Sequence, residues 1–323
     1  ALVLEDRWIA GSIAGGAIER HVVAKGFSRV SDGAPQLVAY DASADDATRW
    51  SLALGGDPGA SAVEILLERL GRPSRVDPML VFDTCLHSQQ RGAIATVFRS
   101  ASPDVRVGAR LALIGDAVSC DGIGEILRGR IADDCRAVVG TRAAQVRTYT
   151  TYGQPVDALL EPVIPPPRLF VIGTAPDALP LVDVGRAIGW EVIVCDPLAR
   201  WATCERFRSA DEVLLAPLDE LAKRIATSDR AMAVVMEHDY DVDRASLAML
   251  LGSRARYIGV AGPRRRAQQM MADLGRSFGD DDRVHAPIGL DLGADTPQEI
   301  ALAITAEIQC VLARTTGAAL RAA

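Results

Sequence analysis

The residues best suited to chemistry lie in short segments that directly follow apolar runs in the second half of the chain. One of these segments, Met236–Asp243, contains four acidic residues and His238. Carboxylates and an imidazole at the end of a predicted strand suit ligand orientation, metal binding or proton transfer. We predict His238 and Asp239 as candidates for catalysis and assign no residue to a metal. The other interpretation is a helix start that is capped by Asp241 or Asp243.

Three consecutive arginines follow the next apolar run, within the segment Gly259–Arg266. Guanidinium groups and the backbone N–H groups of a helix N-terminus both bind anions. We therefore predict that Gly262, Arg264 and Arg265 contact a phosphate of a bound cofactor. A plain basic helix face is the alternative.

A loop with two glycines and two prolines, within His285–Glu299, precedes the last predicted helix. Asp291 in this loop is a candidate for catalysis and for cofactor binding, and His285 is a second residue that could face the same cleft. A loop with only a structural role fits the same pattern.

The turn after the first apolar run of this half resembles a degraded dinucleotide-binding loop, G-x-G-x-x-G/A. Gly173 is its first glycine, and Asp196 ends the next predicted strand, where an acid would contact a ribose. Ala175 replaces the middle glycine and would crowd a phosphate, and Pro176 lacks an N–H. Gly173 and Asp196 are candidates for cofactor binding. The alternative is a Rossmann-shaped domain with weak or no dinucleotide binding, and for NAD(P) itself we predict weak or absent binding.

A glycine pair near the N-terminus, Gly15 and Gly16, lies at the entry to a predicted helix that contains Glu19. Exposed backbone donors there would seat an anionic group, whereas the same glycines would also allow a tight turn. All three residues are therefore candidates for cofactor binding.

A run of prolines within Pro162–Pro167 divides the chain. The three successive prolines at its end remove backbone donors and fix φ, so neither a helix nor a central strand crosses them. We predict an N-terminal domain over residues 1–163 and a C-terminal domain over residues 168–323.

The C-terminal domain alternates short apolar runs with amphipathic segments, which is typical of a Rossmann-like, doubly wound parallel sheet. Its last helix has a clear start, because Thr296 provides a capping hydroxyl and Pro297 suits the first helical position. The predicted strands are Leu169–Ile172, Glu191–Cys195, Glu212–Leu215, Met232–Met236 and Tyr257–Val260, and the predicted helices are Leu179–Ile188, Leu218–Ile225, Arg244–Leu251, Arg265–Leu274 and Pro297–Leu312.

Loops that follow parallel strands emerge at one edge of the sheet, where helix N-termini favour anions. We therefore predict that five candidates meet in one cleft at the carboxyl edge of the sheet, facing the N-terminal domain: His238, Asp239, Arg264, Arg265 and Asp291.

The N-terminal domain is predicted to be α+β, with an internal pseudo-repeat. Ala1–Arg20 and Arg110–Arg128 each contain a strand, a turn, a second short strand and a glycine-containing helix entry. The two halves end in the extended segments Ala62–Leu70 and Val156–Val163. A further strand, Gly92–Ser100, has no counterpart in the first half, which is consistent with N-terminal residues that are missing from this sequence.

Composition excludes several classes of partner and location. The 323 residues carry a formal net charge of −7, which argues against nucleic acid and against an anionic membrane surface as partners. Six cysteines without a C-x-x-C pair indicate reduced thiols. The sequence has no apolar stretch of about 18 residues, so we predict no membrane span. The reduced thiols and the lack of a signal peptide predict a cytoplasmic protein.

These segments, in this order, resemble the XdhC/CoxI family over essentially the whole chain. The similar segments are Gly11–Glu19, Val194–Pro197 with Ala202, Thr203, Arg206 and Phe207, Val235–Asp239 with Asp243, Gly262–Arg266, and Gly289–Ala301 with Glu307.

The resemblance implies an accessory protein that binds the molybdenum cofactor (molybdopterin) and delivers it to an apo molybdenum hydroxylase of the xanthine-dehydrogenase type. It implies a chaperone rather than a catalyst, with a cysteine desulfurase as a further candidate partner and a homodimer as a candidate assembly. The alternative is an NAD(P)-dependent oxidoreductase that uses the Rossmann-like domain. A complete xanthine dehydrogenase is excluded, because the chain lacks iron–sulfur cysteine patterns and is too short for flavin and molybdenum domains.

Three departures from the family pattern matter for function. Ala17 stands at a family cysteine, and the segment Leu54–Gly56 lacks a second one. A thiolate is a natural ligand or sulfur carrier in molybdenum chemistry, so a sulfur-transfer role is in doubt. Residues Gly173–Pro176 replace a family G-A-G-H, which weakens the case for nicotinamide binding.

Overall fold

A computed structural model describes residues 2–4, 7–11, 13, 17–41, 52–53, 62–71, 74–141, 143–198, 204–228 and 230–319. The chain divides into two compact units, Ala1–Pro165 and Pro166–Ala323. The division falls inside the proline run, where the backbone lacks the donors that a sheet or a helix needs.

Unit 1, Ala1–Pro165, is built mainly of antiparallel strands with helices packed against them. Its strands are β1 (Leu2–Leu4), β2 (Arg7–Ala10), β3 (Gln36–Asp41), β4 (Leu52–Ala53), β5 (Ala62–Leu67), β6 (Gly92–Ser100), β7 (Arg110–Ile114), β8 (Ala117–Asp121), β9 (Gln145–Thr151) and β10 (Gln154–Val163), and its helices are α1 (Ala17–Arg29), α2 (Pro78–Ser88) and α3 (Glu125–Val139).

The larger sheet of unit 1 has the order β8-β7-β6-β10-β9, and each neighbouring pair is antiparallel. Successive residues of a strand point to opposite faces, so the two faces have separate cores. Ala93 and Ala95 of β6 pack with α3, whereas Ile94 packs with α2. The sequence did not predict α2, because its exposed side carries large apolar residues and therefore lacks a clean amphipathic pattern.

The two halves of unit 1 share an order of elements: an antiparallel strand pair, a helix and a second antiparallel pair. In the second half β6 lies between β7 and β10 and joins both pairs into one sheet. In the described part of the first half, β1-β2 and β4-β3-β5 form separate sheets.

Unit 2, Pro166–Ala323, is a parallel α/β sandwich. Its strands are β11 (Arg168–Ile172), β12 (Glu191–Cys195), β13 (Glu212–Leu214), β14 (Ala231–Val235), β15 (Tyr257–Val260) and β16 (Val284–His285), and its helices are α4 (Ala178–Ala187), α5 (Leu218–Ala226), α6 (Tyr240–Leu251), α7 (Arg264–Asp273) and α8 (Pro297–Ala313).

The sheet of unit 2 has the order β13-β12-β11-β14-β15-β16, with every pair parallel. Alternate residues of each strand pack into two cores on opposite faces of the sheet. One core lies under α4 and α8, and the other lies under α5, α6 and α7. The direction of the strand order reverses between β11 and β14. Ligands of such sheets bind at this switch point, beyond the carboxyl ends of the strands.

Apart from one-residue shifts at the ends of elements, unit 2 differs from the sequence-based prediction in two details. Helix α6 begins at Tyr240 rather than Arg244, because Asp239 caps it four residues earlier than expected. Strand β16 was not predicted, since two residues are too few to show a periodic pattern. The predicted start of α8 is confirmed: Thr296 and Glu299 form a capping box.

No helix among the described residues is both long and apolar enough to cross a membrane.

Candidate functional site

The turn after β11 lies directly against the end of β14. Gly173 has a φ of +140°, and a Cβ there would lie 2.5 Å from the carbonyl carbon and oxygen of Met236. A backbone neighbour cannot yield as a flexible side chain can, so only glycine fits. The structure thus shows a packing reason for Gly173, and its contact with a cofactor stays a prediction.

An acidic side chain reaches into this turn. The Thr174 N–H donates a hydrogen bond to Glu237 Oε2 at 3.1 Å, and Thr174 is almost completely buried. In a dinucleotide-binding loop, the N–H groups before the helix face phosphate oxygens. Here a carboxylate of the neighbouring loop takes one of these donors.

A second contact joins the same two loops. His238 Nε2 lies 2.9 Å from Asp177 Oδ2, and the two side chains are 48% and 32% exposed. His238 has a φ of +68°, a conformation that non-glycine residues rarely adopt and that often occurs at functional sites. The carboxylate orients the imidazole and selects which ring nitrogen carries the proton, so the pair can hold a ligand or move a proton.

Asp239 acts as the N-cap of α6. Its Oδ1 accepts the N–H groups of Asp241 and Val242 at 3.1 and 3.2 Å. The helix-start interpretation was therefore correct in kind but named the wrong residues, since neither Asp241 nor Asp243 is the cap. This structural role accounts for Asp239, and a role in catalysis stays a prediction.

A buried ion pair lies behind the β14 loop. Asp243, only 1% exposed, pairs through Oδ2 with Arg266 Nη1 at 2.6 Å, and its Oδ1 accepts the Glu237 N–H at 3.1 Å. The pair connects α6, α7 and the loop that carries His238. We did not predict this role for Arg266. Its spacing of four residues from the buried Met270, on the inner side of α7, is the signal that separates it from the other arginines.

Arg264 and Arg265 remain at the surface at the start of α7, so the three arginines do not act as one cluster. The guanidinium carbon of Arg264 lies 5.1 Å from the centroid of the Phe278 ring. Gly262, with a φ of +106°, allows the turn that precedes the helix. Binding of a phosphate by these residues stays a prediction.

A second polar cluster, formed by Tyr257, His285, Gly289 and Glu307, holds the loop before α8. Glu307 Oε2 accepts the Tyr257 hydroxyl and, at 2.9 Å, the Gly289 N–H. Glu307 Oε1 lies 3.3 Å from His285 Nδ1, and the His285 and Tyr257 rings stack at 4.4 Å. His285 is thus engaged in positioning the loop.

Burial sets the acid–base behaviour of this cluster. Desolvation, followed by the charge of Glu307, raises the pKa of the Tyr257 hydroxyl well above its usual value. Desolvation alone would raise the pKa of Glu307, but hydrogen bonds from His285, Tyr257 and the Gly289 N–H outweigh it and lower the pKa. The cluster therefore contains a carboxylate and a neutral phenol.

The remaining candidates lie on other segments of the chain. Asp291 lies exposed on the loop before α8. Asp196 is fully buried, and its Oδ1 accepts the Leu198 N–H at 3.0 Å, so it shapes its own turn. Glu19 Oε1 accepts the Ile13 N–H at 3.1 Å. Gly15 and Gly16 lie outside the described residues.

The structure therefore brings His238 together with Asp177 and places Glu237 against the same turn. Convergence of Arg264, Arg265 and Asp291 on this point stays a prediction. Within the described ranges, no group of three or more histidine, cysteine, aspartate or glutamate residues is arranged to hold a metal ion.

A six-stranded parallel sheet with helices on both faces, in which the strand order reverses between β11 and β14, defines a Rossmann-like domain. Residues 169–308 match the family described as the XdhC Rossmann domain. Most of unit 2 therefore matches this family, and the resemblance to XdhC proteins is confirmed.

Relatives extend the similarity beyond unit 2. A Bacillus subtilis (strain 168) protein, whose name describes it as a probable xanthine dehydrogenase subunit, is 25% identical over 302 residues, which cover 92% of this chain and 83% of that protein. The uncharacterized protein YqeB of Escherichia coli (strain K12) is 27% identical over 146 residues, 44% of this chain and 27% of that protein.

A solved structure shares the fold. A crystal structure described as a xanthine dehydrogenase from Bacillus halodurans has a TM-score of 0.71 and 20% sequence identity to this chain. The match covers 98% of this chain and 87% of that one. The mixed α/β fold with a Rossmann-like C-terminal domain is confirmed.

Proposed function

We propose that this protein is an accessory factor that binds the molybdenum cofactor and delivers it to a molybdenum hydroxylase of the xanthine-dehydrogenase type. The observation that supports this proposal most directly concerns the side chain of Asp177. Its Oδ2 is engaged by His238, while its Oδ1 is buried and has no hydrogen-bond partner among the described residues. A buried carboxylate oxygen without a donor is costly, and an N–H group of a bound ligand would satisfy it.

The chemistry of a pterin fits this part of the sheet. A pterin ring presents N–H donors and carbonyl and nitrogen acceptors, and its side chain ends in a phosphate. Asp177 supplies an acceptor, and Arg266 Nη2 is a buried donor that also has no partner among the described residues. Arg264 and Arg265 follow β15, the strand next to β14, and are exposed for a phosphate.

Family and composition support an accessory role over a catalytic one. Unit 2 matches the XdhC Rossmann domain family. The name of the Bacillus subtilis relative describes that relative as a probable xanthine dehydrogenase subunit. The chain has six cysteines and no C-x-x-C pair, so it lacks the spacing of bacterial iron–sulfur ligands. We propose an apo hydroxylase as the client, a cysteine desulfurase as a further partner, a homodimer as the assembly and the cytoplasm as the location.

An NAD(P)-dependent oxidoreductase is the second candidate, and the Rossmann strand order is the observation that favours it. Purification from a molybdenum-replete host separates the two functions. Released pterin and molybdenum in near-equal amounts, without nicotinamide binding in calorimetry, would support the accessory role. Hydride transfer from a nicotinamide to a small carbonyl compound, without bound pterin, would contradict it.

Replacing Arg264 and Arg265 together with alanine is expected to lower pterin retention at least about tenfold. Each guanidinium can form a charge-assisted hydrogen bond worth about 1.5–3 kcal/mol to a phosphate. Both side chains are exposed, so the thermal unfolding midpoint should stay close to that of the wild type. The measurement is pterin fluorescence after oxidative release from purified protein.

The matched control is the double variant Arg254→Ala, Arg256→Ala. These two arginines are also exposed but precede β15, so they lie at the opposite edge of the sheet. It should retain wild-type amounts of pterin. Equal losses in both double variants would show a general charge effect and contradict a phosphate site at the start of α7.

A further inference from the structure

The turn between β11 and α4 is where a Rossmann domain offers backbone N–H groups to a pyrophosphate. In this chain Glu237 occupies the turn, because its Oε2 accepts the Thr174 N–H at 3.1 Å. Thr174 is only 2% exposed, so solvent screens this contact poorly. A carboxyl oxygen thus takes the backbone donor that a phosphate oxygen would need.

The backbone around Glu237 holds this carboxylate at the turn. The Glu237 N–H donates to Asp243 Oδ1 at 3.1 Å, and Asp243 is anchored by Arg266. On the other side, a Cβ at Gly173 would lie 2.8 Å from the Glu237 nitrogen, so the two backbones are in direct contact. His238, the next residue, is tied to Asp177.

We infer that Glu237 is a specificity-determining residue. At the switch point of such a sheet a binding crevice lies beyond the carboxyl ends of the strands, here β11 and β14, and Glu237 makes it reject dinucleotides and other ligands that would place a phosphate in the turn. Two effects act together: the carboxylate repels a phosphate, and it occupies a donor that the phosphate would need. The same charge favours ligands that present N–H groups there. This selectivity concerns any ligand of the crevice and goes beyond the proposed delivery of a cofactor.

Calorimetry with NAD⁺ and adenosine on the full-length wild type and on Glu237→Ala tests the inference. Adenosine shares the base and ribose of NAD⁺ but has no phosphate. Glu237→Ala is expected to bind NAD⁺ at least about tenfold more tightly than the wild type, because it restores a donor and removes a like charge. Its affinity for adenosine should change by less than about twofold.

Two further variants separate charge from hydrogen bonding. Glu237→Gln keeps an acceptor for the Thr174 N–H without the charge, and we expect an intermediate gain in NAD⁺ affinity. Asp241→Asn removes an exposed carboxylate near the same edge, one that is paired with Arg244 and has no contact with the turn among the described residues. It should bind NAD⁺ like the wild type.

Equal NAD⁺ affinity of Glu237→Ala and Asp241→Asn, with wild-type unfolding midpoints, would overturn the inference. So would an equal gain for adenosine and NAD⁺, since that would indicate simple opening of the crevice. If Glu237→Ala does not fold, the NAD⁺ affinity of Glu237→Gln tests the inference instead, and an affinity equal to that of the wild type would contradict it. Pterin content is measured separately, so the proposed function can fail without affecting this result.

Discussion

Replacing Arg266 with alanine is expected to destabilise unit 2 by about 3 kcal/mol, because it leaves the buried carboxylate of Asp243 without its cation. Asp243 is 1% exposed and Arg266 is 21% exposed, with 2.6 Å between Oδ2 and Nη1. The partial exposure of Arg266 admits some water, which places the expected loss at the lower end for buried pairs. The measurement is the midpoint of urea unfolding, followed by circular dichroism.

Two variants serve as controls for this prediction. Arg265→Ala removes an exposed neighbouring arginine and should change the free energy of unfolding by less than about 0.5 kcal/mol. The double variant Asp243→Asn, Arg266→Ala removes both charges but keeps an acceptor for the Glu237 N–H, so it should recover much of the loss. A destabilisation by Arg266→Ala no greater than that by Arg265→Ala would show that the pair contributes nothing.

Replacing Glu307 with alanine should also cost about 3 kcal/mol. Besides the contact with His285, the variant removes the acceptor of the fully buried Tyr257 hydroxyl and of the Gly289 N–H, and each unsatisfied donor costs about 1–3 kcal/mol. Tyr257→Phe removes a donor instead of an acceptor and should cost only about 1 kcal/mol. Because both residues share one hydrogen bond, the double variant should lose less than the sum of the single variants. Full additivity would contradict the contact.

Acid unfolding gives an independent test of Glu307. Its folded-state pKa is lowered, so its stabilising contribution is present above the usual value of 4.5 and is lost as the pH falls through the lowered pKa. Between roughly pH 5 and pH 3 the wild type should lose more stability than Glu307→Gln, which cannot titrate there. Parallel stability–pH curves for the two proteins would show that Glu307 is not held as a carboxylate.

Parts of the fold follow from local patterns in the sequence. Strands β12 and β15 have the predicted bounds, because buried parallel strands are short continuous apolar runs. The start of α8 was also predictable, since the capping residues lie within three positions of each other. The effect of the proline run is also predictable from the sequence, because a proline lacks a backbone N–H whatever surrounds it.

Other elements depended on what packs against them. Neither the two-residue strand β16 nor the amphipathic side of α2 is visible in the sequence, because the first is too short and the second exposes Leu80 and Phe82. Near α6 the sequence pointed to Asp241 or Asp243 as the cap, and the choice of Asp239 depends on where β14 ends.

By itself, the sequence determined most elements of the Rossmann-like unit and showed that polar residues follow its strands, since both are local properties of composition and spacing. Only the tertiary structure decided which of these residues meet. The contacts of Glu237 with Thr174 and of His238 with Asp177 join loops that are about 60 positions apart in the chain. They form because β11 is hydrogen-bonded to β14, and this pairing follows from the cooperative order of the whole sheet.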